Sequence, residues 1–246
     1  MNYEPRTTNS NGFSLTEVLL AVGILAVGML FIAGTFLVGI HFSTIATEQT
    51  IAAAASDEAF AKIKLYGVTS LSVGSLMPFS LADPNEFAYP STNSVAEKQY
   101  YWSALCGRTQ DGLVQVTVFV CRKAAPNTRY RNPADPFNLN VSLFYPVPVK
   151  VGVSSVGGAG NENKLSINVS RPPPAEETFI HSGYTIVDNE FGWIYRVVDW
   201  DAAQPNRIIL DRPWLGGSPG SVWVVPPPFG GGRHPCIAVY QTEMRF

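Results

Sequence analysis

The chain is short of charge, cysteine and histidine. Charged residues make up 15% of its 246 positions, and the formal net charge is −2. Lys and Arg never gather into a block, so the basic footprint of a nucleic-acid binder is missing. The histidines His41, His181 and His234 stand far apart. No His-Glu-x-x-His, Gly-x-Ser-x-Gly, Walker loop or paired Cys-x-x-Cys occurs. Nothing therefore points to an enzyme, and no cofactor or metal is expected. Asp188-Asn189-Glu190 and Asp199-Trp200-Asp201 offer carboxylate oxygens, but without the spacing of a calcium loop they read as turn residues. No internal repeat stands out.

One feature is present in excess. Val18–Ile40 is 23 residues without a charge. At about 1.5 Å per residue it reaches roughly 34 Å, enough to cross a hydrocarbon core of about 30 Å. A secretory signal has an apolar region of about 7–15 residues, so this run is too long for one. It also continues into an amphipathic segment. Glu17 sits at its leading edge. A carboxylate within a membrane span costs about 2.5–3.5 kcal/mol at the centre, and marks a functional residue unless it snorkels to the headgroups.

Beyond the run, Ala52, Ala55, Ala59, Ile63 and Tyr66 recur at three- and four-residue steps, one stripe of a helix over Ser43–Tyr66. Glu58 and Lys62 are spaced for an i,i+4 ion pair, and Gly67 is a natural stop. From Phe13 to Tyr66 the helix spans 54 residues, about 80 Å.

With 21 Gly and 19 Pro, the remainder reads as short strands and turns. Lys64–Ser94, with Pro78, Pro84 and Pro90, is a loop-rich connection. Gln99–Cys106 and Leu113–Arg122 form a hairpin, the second strand alternating Val114, Val116, Val118 and Val120 with Gln115, Thr117, Phe119 and Cys121. Lys123–Phe137 and Val156–Lys164 are loops. Pro172-Pro173-Pro174 makes a stiff spacer between two lobes. Short strands then follow at Thr185–Val187, Trp193–Val198, Arg207–Leu210, Val222–Val225 and Ile237–Met244, the cadence of a small β-sandwich or barrel. Trp193, Trp200, Trp214, Trp223, Tyr184 and Tyr195 are read as core aromatics. Pro226-Pro227-Pro228 and Gly230-Gly231-Gly232 are read as an exposed loop.

The cysteines Cys106, Cys121 and Cys236 are the disulfide candidates, and their odd number leaves the connectivity open. A hairpin turn near Thr109–Gln110 puts Cys106 opposite about Val114. Cys121 is then seven residues away, over about 20 Å, beyond the roughly 7 Å Cα limit of a disulfide. Cys236 is the better partner for one of the two.

Gly12-Phe13-Ser14-Leu15-Thr16-Glu17-Val18-Leu19-Leu20-Ala21 resembles the prepilin cleavage and methylation motif of type IV pilins and type II secretion pseudopilins. The resemblance implies cleavage by a prepilin peptidase between Gly12 and Phe13, and N-methylation of Phe13. It also implies pairing of Glu17 with that amine during filament assembly. The leader departs from the family pattern: only Arg6, offset by Glu4, is basic, and Ser10-Asn11 precede Gly12. Where many major pilins carry a proline, the chain has Gly34, flanked by Gly23, Gly28 and Gly39.

Leu19–Leu30 and Ala52–Lys64 are most similar to minor pilins and minor pseudopilins, of the pilus-modification and secretion-system I-type branch. The hairpin around Tyr101-Trp102 and Leu113–Val118 resembles theirs more loosely. The expected class is α+β: a long N-terminal membrane-spanning helix packed on an antiparallel β head, with a C-terminal all-β lobe. The expected division is a leader 1–12, a helix 13–67 with its span at 18–40, a head 68–170 and a lobe 171–246.

The implied role is a non-catalytic minor subunit that helps initiate or tip a filament. It would sit as a single-pass protein in inner-membrane lipid, head outward, with the prepilin peptidase and other pilin or pseudopilin subunits as partners and no nucleic acid. The alternative is a membrane-anchored binding or adhesion module that does not polymerise.

Overall fold

A computed structural model describes residues 12–68, 71–81, 83–91, 98–158, 160–168, 176–204 and 206–246. Met1–Asn11 and the Pro172-Pro173-Pro174 spacer lie outside the described residues. The chain divides into two units, Met1–Glu48 and Gln49–Phe246.

Helix α1 runs over Leu15–Tyr66, 52 residues. It starts two residues later than the 54-residue expectation, because Ser14 caps it. The Glu17 N–H donates to Ser14 Oγ at 3.2 Å, one of the first-turn donors that lack an intrahelical partner. The helix stops at Gly67, whose φ of +73° suits glycine and whose N–H closes the last turn on the Ile63 carbonyl at 3.0 Å.

Within the first unit the apolar side chains from Phe13 to Phe42 are exposed, and among the described residues α1 is the helix long and apolar enough to cross a membrane. It continues unbroken through Gly34. Its hydroxyls turn back on the backbone: Thr35 Oγ1 donates to the Ile32 carbonyl and Thr44 Oγ1 to that of Ile40, both at 2.9 Å. That satisfies polar groups where lipid offers no partner.

In the second unit, Ala52, Ala55, Ala59 and Ile63 are fully buried. Tyr66 does not continue the stripe; it is 54% exposed, since the helix ends there. The stripe packs with Phe87, Trp102, Ala104, Cys106 and the valines of the following hairpin. Lys62 fixes its edge. It pairs with Glu58 at 3.3 Å and Glu86 at 2.7 Å, and donates to the Glu86 carbonyl at 2.7 Å. The 64–94 connection is more structured than its composition suggested. It holds strands β1 (Met77–Pro78) and β2 (Ala88–Tyr89), and a 3-10 turn over Pro84–Phe87 capped by Asp83.

Strands β3 (Tyr100–Arg108) and β4 (Val114–Arg122) are the expected hairpin. The valines of β4 face α1, and Phe119 and Cys121 face the opposite way. Both faces are buried, which explains why Phe119 and Cys121 alternate with the valines. Two further strands fall outside the expected ones, β5 (Val149–Ser155) and β6 (Lys164–Ile167). With β7 (Thr185–Asp188), β8 (Ile194–Trp200), β9 (Arg207–Leu210) and β10 (Gly220–Val224) they close a barrel in the order β10-β5-β6-β9-β8-β7.

Alternate residues fill the barrel, among them Val151, Leu165, Ile186, Val197, Ile208 and Val222. The last strand, β11 (Cys236–Met244), is not in the barrel. It returns to pair antiparallel with β4, giving the sheet order β1-β3-β4-β11, with β2 also on β3. The barrel is thus an insertion between β4 and β11, and the sheets do not part along the chain at residue 170.

Sheet and barrel share a third apolar cluster: Leu76, Leu105, Phe119 and Cys121 meet Val187, Trp223 and Val225. Polar contacts fix the seam. Asn189 accepts from Trp223 Nε1 at 2.8 Å, and its carbonyl accepts from the Leu76 N–H at 2.9 Å. From β11, Gln241 Nε2 reaches Thr117 Oγ1 at 2.9 Å and the Gly192 carbonyl at 2.7 Å.

Candidate functional site: the N-terminal junction and the cysteines

Gly12 and Phe13 precede the first turn of α1 in non-helical backbone. A Cβ built on Gly12 meets nothing within 4 Å, and Phe13 is 83% exposed. Both positions are therefore exposed among the described residues. Glu17 lies in the first turn of α1, where a carboxylate is favoured by the positive end of the helix dipole. Gly12, Phe13 and Glu17 thus occupy one short exposed stretch. The local sequence accounts for it: Ser14 caps, and the apolar run carries the helix onward.

The three cysteines fall on two faces of the sheet. The hairpin register differs from expectation: Cys106 lies opposite Val116, not Val114. The turn sits further along the chain, centred at Asp111, with the Thr109 N–H bonding the Leu113 carbonyl at 2.9 Å and Gly112 at φ +78° completing it. Cys121 is then five residues along from Val116, about 17 Å. Cys106 joins the cluster under α1 while Cys121 joins the barrel seam, so the two cannot bridge. Cys236 lies directly opposite Cys121. Burial pushes the Cys106 thiol up to about 12. Burial, then the neighbouring Cys236, raises that of Cys121.

The remaining candidate groups are engaged structurally. Asp188 Oδ2 accepts from the Phe191 N–H at 2.8 Å, closing the β7–β8 turn. Asp201 pairs with Lys164 at 3.1 Å and accepts from the Ala203 N–H at 3.0 Å. Among the described residues no three His, Cys, Asp or Glu side chains gather as a metal site. Tyr184, Tyr195, Trp214 and Trp223 are buried and Trp200 packs against the barrel core, as expected; Trp193 is 37% exposed.

The proline run was misjudged. Pro226, Pro227 and Pro228 are buried, and only Gly230–Gly232 are exposed. His41 is exposed on α1 beside Phe42. His234 lies over the Tyr184 ring at 3.6 Å, with His181 edge-on to that tyrosine at 5.2 Å. An apolar cleft of about 250 Å³ lies along β3, lined by Phe79, Phe87, Leu143 and Tyr145 with Ser80 and Ser103. It brings together no acid and base.

Residues 7–33 match the family model of the prokaryotic N-terminal methylation motif. The match covers the junction and the first part of α1. With the apolar helix, it is consistent with a type IV pilin-like protein. No curated protein and no solved structure matches the chain.

Proposed function

We propose that the chain is a minor pilin or pseudopilin, a non-catalytic subunit that helps initiate or tip a type IV pilus-like or type II secretion filament. The carrying observation is the methylation motif at 7–33, running without a break into an exposed apolar helix. The motif implies processing by a prepilin peptidase and assembly with other pilin-type subunits. On this reading the peptidase removes residues 1–12, Phe13 becomes the methylated N-terminus, and α1 anchors a single-pass protein whose β head lies outside the inner membrane. The division of labour along α1 supports it. Residues up to Phe42 expose apolar side chains, whereas Ala52, Ala55, Ala59 and Ile63 are buried against the sheet.

Glu17 supplies register. When a subunit docks, its carboxylate meets a Phe13 amine, its own or a neighbour's. Pairing offsets the cost of holding each charge away from water. Glu17→Val leaves the Gly12–Phe13 junction intact, so the leader is still removed, while incorporation falls. Fractionating cells into membrane and sheared filaments measures this. Equal incorporation of variant and wild type would make Glu17 a snorkelling end residue. A mature protein that stays in the membrane fraction in every condition would favour the anchored, non-polymerising module.

A further inference from the structure

Beside the packed seam, the chain enters and leaves the barrel segment at one narrow neck. The chain leaves at Arg122, the last residue of β4, and returns at Cys236, the first of β11. The Arg122 N–H donates to the Pro235 carbonyl at 2.7 Å across this neck. One step inward stand Cys121 and Cys236, paired directly in the antiparallel register. Such partners have Cα atoms about 4.5–5.5 Å apart, inside the roughly 4.4–6.8 Å window of a disulfide. Facing partners point to the same side of a sheet, and both side chains belong to the same apolar seam. The Cys236 thiol donates to the Ala238 carbonyl at 3.6 Å, and its proximity adds to the rise of the Cys121 thiol after burial.

We propose that Cys121 and Cys236 are a disulfide pair that closes the neck of the inserted barrel. That the pair meets an oxidant in the cell rests on the reading above, which puts the head outside the cytoplasm. The oxidant is a thiol–disulfide oxidant of the exported compartment. Cys236 is partly exposed and Cys121 fully buried, so Cys236 reacts first. Its thiolate displaces one sulfur of the oxidant's disulfide, giving a mixed disulfide. Cys121 loses its proton and attacks the Cys236 sulfur, and the oxidant departs with both electrons as a dithiol. The two protons given up by the cysteines end on the departing dithiol, so none is released overall. Cys106 takes no part, because it lies beneath α1 on the other face of the sheet.

The bridge closes a loop of more than 110 residues, the length at which cross-linking restricts the unfolded chain most. It also pins β11, whose only strand partner among the described residues is β4. Reduction is expected to lower the melting temperature by about 8–16 °C, from the typical effect of such a loop on a unit of this size.

The test uses the full chain in detergent. Free thiols are alkylated and the protein is peptide-mapped without reduction, in two arms: protein taken from the cell envelope, and protein reduced and then exposed to oxidised glutathione. A Cys121–Cys236 peptide in both arms is expected, with Cys106 alkylated only after denaturation. The peptide in the glutathione arm alone supports the pair and counts against the exported head. Its absence from the glutathione arm, or any bridge through Cys106, overturns the proposal. In the same protein, Cys236→Ala is expected to abolish the reductant-dependent melting shift and Cys106→Ala to retain it. A shift that survives in Cys236→Ala also overturns it.

Discussion

Ile63→Ala tests whether the second half of α1 is held by the sheet. Ile63 is fully buried among Ala59, Trp102 and the β4 valines. Truncation removes three carbons from that packing. The lost transfer energy of a buried aliphatic side chain plus the cavity left behind is typically about 2–5 kcal/mol, and the tight small-residue stripe offers little room to collapse. Alanine's better helix propensity returns only a few tenths. A net loss of about 3 kcal/mol should lower the melting temperature of a unit of this size by about 6–12 °C.

Leu65→Ala is the control. Leu65 is on the same turn but 81% exposed, so its change should stay within about 0.5 kcal/mol. The assay is thermal unfolding of the full chain in detergent, followed by near-ultraviolet circular dichroism, which reports the packing around Trp102. Equal shifts for the two variants, or an unshifted Ile63→Ala, would refute the packing of α1 on the sheet.

Two other perturbations probe separate regions. Burial pushes the His234 imidazole down to about 4 from its ordinary 6.5. The unfolded chain takes up that proton first, so the stability contributed by neutral His234 is complete above about pH 6.5. It is lost progressively as the pH falls toward 4, by up to about 3 kcal/mol. Urea titrations at pH 7.5 and 4.5 should show this loss in the wild type and a smaller one in His234→Phe. Gly12→Glu should retain the leader, since a peptidase must close on the residue before the cut. The open space at Gly12 means that folding is untouched, and mass spectrometry of the membrane protein should find an intact N-terminus in a normally melting protein.

The sequence alone determined what local chemistry controls. A 23-residue uncharged run, an Ala/Ile stripe and Gly67 specify one helix without reference to anything distant, and the structure adds the Ser14 cap that starts it. The Gly12–Phe13–Glu17 constellation is local too, and the methylation-motif match covers it. The β3–β4 hairpin was legible because its strands are neighbours in the chain, although its register differs by two residues because the turn centres at Asp111.

Only the tertiary structure decided where β11 goes. Its alternation fits a barrel edge as well as a sheet edge, and a period of two does not name a partner more than 110 residues away. The same holds for β5 and β6, one readable as an alternating valine run and the other four residues long. They became strands because closing a barrel gave their backbone groups partners on both sides. Apposition of Cys121 with Cys236, and Asn189 spanning the seam, follow from that closure, because chain return through a folded insertion sets long-range register where local pattern carries no such information.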